Sequence, residues 1–201
     1  MYTERNLTKN QDKLPELSGL AREFAQRTRD EYYAGLWFKF LPLGLLWEVK
    51  ETALSYRVPH RAPSWSWASV DGPLGMPHSN PRCPQFRVSI LAIHTTLLGK
   101  DPYGQVIDGV IKLRCKLANA RCGPTGNPKY LDHPDISDGF YPVRIDNKQE
   151  IVGCYAPDET NRVPESQLTA LLIEDVPVRV KKYETHCVLF DSVAEEEITI
   201  V

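Results

Sequence analysis

The chain of 201 residues is long enough to bury a substantial hydrophobic core in one domain. Its formal net charge of −2 and the lack of a lysine or arginine run exclude a basic nucleic-acid surface, so we expect no nucleic-acid partner. The apolar stretch 36–49 is interrupted by Lys39, Pro42, Gly44 and Glu48, which predicts no integral membrane segment and leaves open a peripheral membrane contact. Five cysteines without CxxC spacing and a start without an apolar leader indicate a cytoplasmic protein.

Residues 1–50 carry helical patterns. A proline and acidic residues between Asp12 and Glu16 favour a helix start, and apolar residues then recur at helical spacing as far as Asp30. A second apolar stripe, from Tyr33 to Phe40, predicts a short helix that ends before the next proline. This part of the chain is therefore expected to be helical.

The densest signal is the segment 61–69, Arg-Ala-Pro-Ser-Trp-Ser-Trp-Ala-Ser, which holds two of the four tryptophans. In extended backbone, Trp65 and Trp67 would lie on the same face of a strand because side chains alternate. Two neighbouring indoles either fill a core or line a pocket for an apolar ligand. Most buried aromatic residues simply pack in a core, which favours the first interpretation. A pocket remains the second interpretation.

Strand patterns dominate the rest of the chain. Alternating apolar residues over Phe86–Ala92 and Ile107–Leu117 predict a long antiparallel hairpin across a turn at Asp101–Gly104. We expect five residues of the second strand to share the buried face: Ile107, Ile111, Leu113, Cys115 and Leu117. Shorter strands are predicted at Tyr141–Asp146, Glu150–Tyr155, Leu168–Glu174, Val178–Tyr183 and His186–Asp191. The segment after Glu195 is either a last strand or a frayed tail.

Helices followed by six or more strands predict an α+β fold. We expect a single domain over 1–201, with a helical part in 1–50 and a mainly β part in 51–201. The N-terminal helices would pack on a curved antiparallel β-sheet or a small β-barrel.

The sequence carries no conventional active-site motif. Its histidines are scattered, and His186 beside Cys187 cannot chelate from one strand face, so we expect no metal site. A phosphate-binding loop and a nucleophile elbow are also missing, and we expect no cofactor. Cys154, His186 and Asp191 could assemble into a nucleophilic set, although cysteines are more often core residues.

Five short segments of the sequence occur in an order known from one protein family. They are residues 2–8, 12–21, 33–37, 45–47 and 61–69. Together they resemble the region downstream of the HET domain in fungal heterokaryon-incompatibility proteins, strongly over about residues 1–72. The HET domain itself is not matched, so the resemblance implies a module that acts without it. It implies a non-catalytic binding or regulatory role, in which the module senses a partner or holds a HET domain inactive.

Amphipathic aromatic residues suggest an enzyme as the other possibility. Rings that fold an apolar substrate, with a donor on its carbonyl, can accelerate an intramolecular cycloaddition without a cofactor. Stand-alone HET-like proteins occur beside fungal terpenoid genes, and norbornene-forming Diels-Alder cyclases of the sordarin type resemble this description. A cyclase would bind a small apolar metabolite through Trp65, Trp67, Trp37, Trp47 and Tyr155. Its candidate catalytic donors are Arg61, Tyr56 and His60.

Overall fold

The computed structural model describes residues 2–4, 7–50, 55–75, 87–122, 141–145, 151–155, 166–172 and 194–201. Short helices precede and flank antiparallel sheets, which confirms the predicted α+β class. From residue 118 to 172 the description is of strand backbone only.

The first helix is shorter in the structure than the sequence pattern predicted. The chain begins with 3-10 turns at Tyr2–Glu4, Asn10–Lys13 and Pro15–Leu17, and the α-helix α1 spans Ser18–Thr28. It ends at Arg29, which adopts the left-handed conformation with φ 54°. Proline lacks a backbone N–H, and the chain around it closes tighter turns before the regular helix begins.

The predicted second helix is wrong. Strands β1 (Tyr32–Tyr33) and β2 (Leu36–Trp37) form an antiparallel hairpin instead. The two turn residues, Ala34 and Gly35, have φ of 46° and 95°. Positive φ at both central residues is the geometry of a tight hairpin turn whose twist matches its strands. The backbone turn therefore overrides the helical spacing of the apolar side chains.

Further helical turns and strands follow the hairpin. A 3-10 turn at Phe38–Phe40 leads into helix α2 (Leu41–Gly44), and a further 3-10 turn spans Trp67–Ser69. The remaining strands within the described ranges are β3 (Glu48–Val49), β4 (Tyr56–Arg57), β5 (Val70–Asp71), β6 (Leu74–Gly75), β7 (Ser89–Leu97), β8 (Val106–Cys122), β9 (Tyr141–Ile145), β10 (Ile151–Tyr155), β11 (Ser166–Leu172) and β12 (Glu195–Ile200). Strand β3 pairs with β6, and β4 pairs with β5.

Strand β8 organises a six-stranded antiparallel sheet. It pairs with β7, β9, β11 and β12, and β10 extends the sheet beyond β9. Residues 111–114 pair with β7 and β12 at once, so those two strands flank β8 on opposite edges. The predicted hairpin is confirmed, and the segment after Glu195 is a strand. The described strands form an open sheet rather than a small barrel, and the predictions at 178–183 and 186–191 lie outside the described residues.

Two register shifts decide which side chains of the β7–β8 hairpin face the core. One shift lies between Ile90 and Ala92, and the other lies where Leu97 pairs with Val106. The second leaves Ile107 outside the pairing, and this residue is 56% exposed, so its predicted place on the buried face is wrong. The bulge inserts one residue and so reverses the alternation at that end of the strand.

The main core lies between the sheet and the N-terminal part. Ile111, Leu113 and Cys115 of β8 are fully buried, and Leu14 and Leu41 cover them from the other side. A smaller cluster holds Val49, Val70 and Leu74, with two partly buried tryptophans against it. Within the residues described here, no helix is both long and apolar enough to cross a bilayer.

Candidate functional site

The tryptophan segment, defined as residues 61–71, is not the strand that its spacing predicted. Ser66 caps the 3-10 turn that begins at Trp67: its hydroxyl accepts from the Ala68 N–H at 3.0 Å and donates to the Ala34 carbonyl at 2.5 Å. Ser69 donates its hydroxyl to the Ser66 carbonyl at 2.8 Å. A serine side chain at a turn start satisfies backbone N–H groups that a strand would pair with a neighbour. The two indoles consequently contact different parts of the protein.

Each indole of this region donates its N–H to a backbone carbonyl. Trp65 donates to Gly109 at 3.3 Å, and Trp67 donates to Gly35 at 2.9 Å. Trp47 donates to the carbonyl of Trp65 at 3.0 Å. These bonds fix the segment to the sheet and to the β1–β2 hairpin. The three donors are therefore already used inside the protein.

The rings are also in close contact with glycines. A Cβ atom at Gly109 would lie 2.9 Å from Cζ2 of Trp65, and one at Gly35 would lie 2.6 Å from Nε1 of Trp67. Trp65 is only 5% exposed. Glycine is needed at both positions because any side chain would displace an indole. Such close contact between a ring and the backbone is typical of a packed core.

Arg61 belongs to a buried ion cluster, defined as Lys13, Arg61 and Asp71. Nη1 of Arg61 donates to Asp71 at 2.8 Å, and Nζ of Lys13 donates to the other carboxylate oxygen at 2.7 Å. The side chains of Lys13 and Arg61 are 2% and 1% exposed. Burial by itself raises the pKa of Asp71, but the bonds from both cations outweigh it and lower that pKa. Burial lowers the pKa of Lys13 despite its carboxylate partner.

The other two candidate donors lie outside this cluster. Tyr56 is 53% exposed in strand β4, and His60 is exposed in a turn with φ of 57°. Arg61 is buried, so the structure does not place the three side chains in one environment. The backbone of Tyr155 ends strand β10 opposite Tyr141, and its side chain lies outside the described part. Their catalytic and substrate-binding roles stay predictions.

Trp37 lies in a second group of rings, the aromatic array, defined as Phe24, Trp37, Tyr32 and Tyr103. Ring centroids are 4.6 Å apart for Phe24 and Trp37, 5.1 Å for Trp37 and Tyr32, and 5.5 Å for Tyr32 and Tyr103. The array joins α1, the hairpin and the loop between β7 and β8. Arg22 lies 5.8 Å from the centre of the Tyr103 ring. Burial raises the pKa of the Tyr32 hydroxyl above its ordinary value, and this group is uncharged at neutral pH.

Part of the array and the face of α1 beside it are exposed. Phe24 itself is 41% exposed, and Leu20, one helical turn earlier, is 72% exposed. Phe38 and Phe40 follow the hairpin and are 41% and 56% exposed. The helical spacing of apolar residues predicted a buried face of this helix, but Ala21 is the residue of α1 that is buried. Leu20 and Phe24 therefore form an exposed apolar pair on one face of α1.

The sequence did not single out Lys13, Asp71 or Tyr103 as members of a site. Lys13 and Asp71 lie 58 residues apart, and only the fold joins them. The pairing of Tyr32 with Trp37 depends on the hairpin that the helical spacing concealed. Lys13 follows the polar run 8–12, so no pattern in the sequence marked it as a buried residue.

No family model, curated protein or solved structure matches this chain. Within the described ranges, no three histidine, cysteine or acidic side chains are grouped so that they could hold a metal ion. The functional interpretation therefore depends on the geometry of the tryptophan segment, the buried ion cluster and the aromatic array.

Proposed function

We propose that this chain is a non-catalytic binding module that acts in the cytoplasm and holds a protein partner on its aromatic array. One contrast carries the proposal. The indole N–H groups of Trp47, Trp65 and Trp67 bond backbone carbonyls, whereas the ring of Phe24 and the side chain of Leu20 remain exposed. The chemistry available to another molecule is therefore apolar contact on the surface.

The composition of the array suits protein recognition. Tryptophan, tyrosine and arginine are the residues that most often carry binding energy at protein interfaces. Trp37 and Tyr32 already contact each other, so little side-chain freedom would be lost on binding. Arg22 beside Tyr103 adds a charged group at one end of the array. The resemblance to the region downstream of HET domains suggests a HET domain as the partner.

The test is binding to a purified HET domain of a heterokaryon-incompatibility protein, measured by calorimetry. A double variant, Leu20→Ser and Phe24→Ser, removes the exposed ring of the array and the exposed side chain one helical turn before it. We expect its affinity to fall at least about tenfold, because interface anchors contribute about 2 kcal/mol each.

A matched control uses Ile107→Ser and Val201→Ser. These residues are 56% and 65% exposed, and neither lies in the loop 98–105 that holds Tyr103 of the array. The control should bind as the unmodified chain does. Equal losses in both variants, or full affinity in the double variant, would contradict the proposal.

A cofactor-free Diels-Alder-type cyclase of an apolar fungal metabolite is the second candidate. It is supported by the half-buried ring of Trp37 between Phe24 and Tyr32, and by the exposed side chains of Tyr56 and His60 as donors. Incubation with a linear diene-bearing terpenoid should then give a product of unchanged mass, separable by chromatography. Trp37→Ala should slow that conversion while the protein stays folded. A wild-type rate equal to that in buffer removes this candidate for the substrate tested.

A further inference from the structure

The buried ion cluster has more positive than negative charge. Lys13 and Arg61 supply two cations, and Asp71 is the carboxylate that both of them contact. Burying an unbalanced charge is costly unless further groups compensate it. The cluster therefore favours an additional acceptor that carries negative charge.

The hydrogen bonds show where that acceptor would bind. Nε of Arg61 donates to the Ala68 carbonyl at 2.6 Å, and Nη1 donates to the Asn10 carbonyl at 3.1 Å as well as to Asp71. Lys13 uses its ammonium on Asp71 and on the Val70 carbonyl at 2.6 Å. Nη2 of Arg61 is buried and has no hydrogen-bond partner in the described structure.

We propose that Nη2 of Arg61 is a binding site for a small carboxylate. One of its N–H groups can donate to a carboxylate oxygen in a charge-assisted hydrogen bond, and a single negative charge balances the excess cation. Phosphate suits the site less well, because a buried Nη2 leaves less room for four oxygens than for one carboxylate, and a dianion exceeds the single excess positive charge.

The short turn Asn10–Lys13 forms one wall of this site. It contributes the Asn10 carbonyl to Nη1 and the Lys13 ammonium to Asp71, and the Tyr2 hydroxyl donates to the Lys13 carbonyl at 2.6 Å. A ligand that reaches Nη2 must be small or must displace this turn. Formate and acetate are therefore the probes of choice.

The experiment measures binding of formate and acetate to the full chain, with chloride and phosphate at matched ionic strength. Thermal unfolding reports the stabilisation that a ligand gives to the folded state. The ¹⁵N signals of arginine side chains report on Nη2 itself. We expect both carboxylates to raise the unfolding temperature and to shift the Arg61 signal, with phosphate and chloride giving smaller effects.

Two variants separate this site from general salt effects. Arg61→Lys keeps the charge but removes Nη2, and we expect acetate affinity to fall about tenfold or more, the effect of losing a charge-assisted hydrogen bond. Arg114→Lys makes the same change at an exposed ion pair on the sheet and should bind acetate as the wild type does.

Some outcomes overturn the proposal. Equal stabilisation by all four anions does so, as does an Arg61 signal that acetate leaves in place. If Arg61→Lys does not fold, the Arg61 signal of the wild-type chain decides alone.

Discussion

The tryptophan segment and the aromatic array use the same residue types in opposite ways. In the segment, Trp65 and Trp67 bond the carbonyls of glycines, and their rings leave no room for a Cβ atom at either glycine. In the array, the rings contact one another at the surface and Phe24 remains 41% exposed. A concentration of aromatic residues therefore does not by itself mark a binding site. The use of the polar N–H and the exposure of the ring distinguish the two.

The strongest test of this comparison breaks the buried ion cluster, which includes two residues of the tryptophan segment. Asp71→Ala removes the carboxylate that Lys13 and Arg61 share, and it leaves two buried cations without a counter-ion. We expect a loss of about 3–5 kcal/mol in the free energy of unfolding, measured by urea denaturation.

Glu197→Ala is the control for this change. Glu197 also contacts two cations, Lys112 and Arg114, but on the exposed face of the sheet. Its removal should leave the urea midpoint almost unchanged, because exposed ion pairs are screened by solvent. A loss at Glu197 as large as that at Asp71 would show that burial is not the deciding factor.

The second test enlarges the glycines that contact the indoles. Gly35→Ala places a Cβ atom 2.6 Å from Trp67 at a residue with φ of 95°, and Gly109→Ala places one 2.5 Å from Pro63. We expect each change to cost about 1–3 kcal/mol of stability, since overpacking and backbone strain both act against the fold. Gly99→Ala, which has no neighbour within 4 Å, is the control and should unfold at the wild-type temperature. Unchanged stability at Gly35 would mean that the indole moves freely.

Part of this arrangement was predictable from the sequence. The β part of the α+β fold and the long hairpin follow from the alternation of apolar residues over 86–117, because half-buried strands impose a period of two. The helical spacing over 33–40 was misleading, because a two-residue turn with positive φ at Ala34 and Gly35 outweighed it. Ile107 was misplaced because a bulge cannot be read from alternation alone.

The candidate site was less predictable than the fold. The sequence pointed to Trp65, Trp67 and Arg61; the structure buries Trp65 and Arg61, half-buries Trp67, and gives each of them a partner inside the protein. Contacts between Lys13 and Asp71, or between Phe24 and Trp37, join residues far apart in the chain or on different elements. Sequence spacing carries no information about such pairs until the elements are packed.

A third test uses pH on the ion cluster. The pKa of Asp71 in the folded protein lies below its ordinary value of 3.8. The carboxylate therefore stabilises the fold above about pH 4, and this contribution is lost as pH falls through the lower folded value. Stability measured from pH 5 down to pH 2 should fall in the wild type. Asp71→Asn should be less stable at pH 5 and should show a shallower acid decline. Parallel curves for the two proteins would contradict this assignment.

The smallest expected effect is at the surface. Phe24→Ala removes the ring 4.6 Å from Trp37 on a residue that is already 41% exposed. Aromatic pairs contribute about 0.5–1.5 kcal/mol beyond the area they bury, so we expect a loss near that size by urea denaturation.

Leu20→Ala, at a side chain 72% exposed, should change stability by less than about 0.5 kcal/mol. A loss above about 3 kcal/mol at Phe24 would place this ring in the core, and the array would then be structural like the tryptophan segment. A small loss of stability together with weaker partner binding would show that the array serves binding, whereas the tryptophan segment serves the fold.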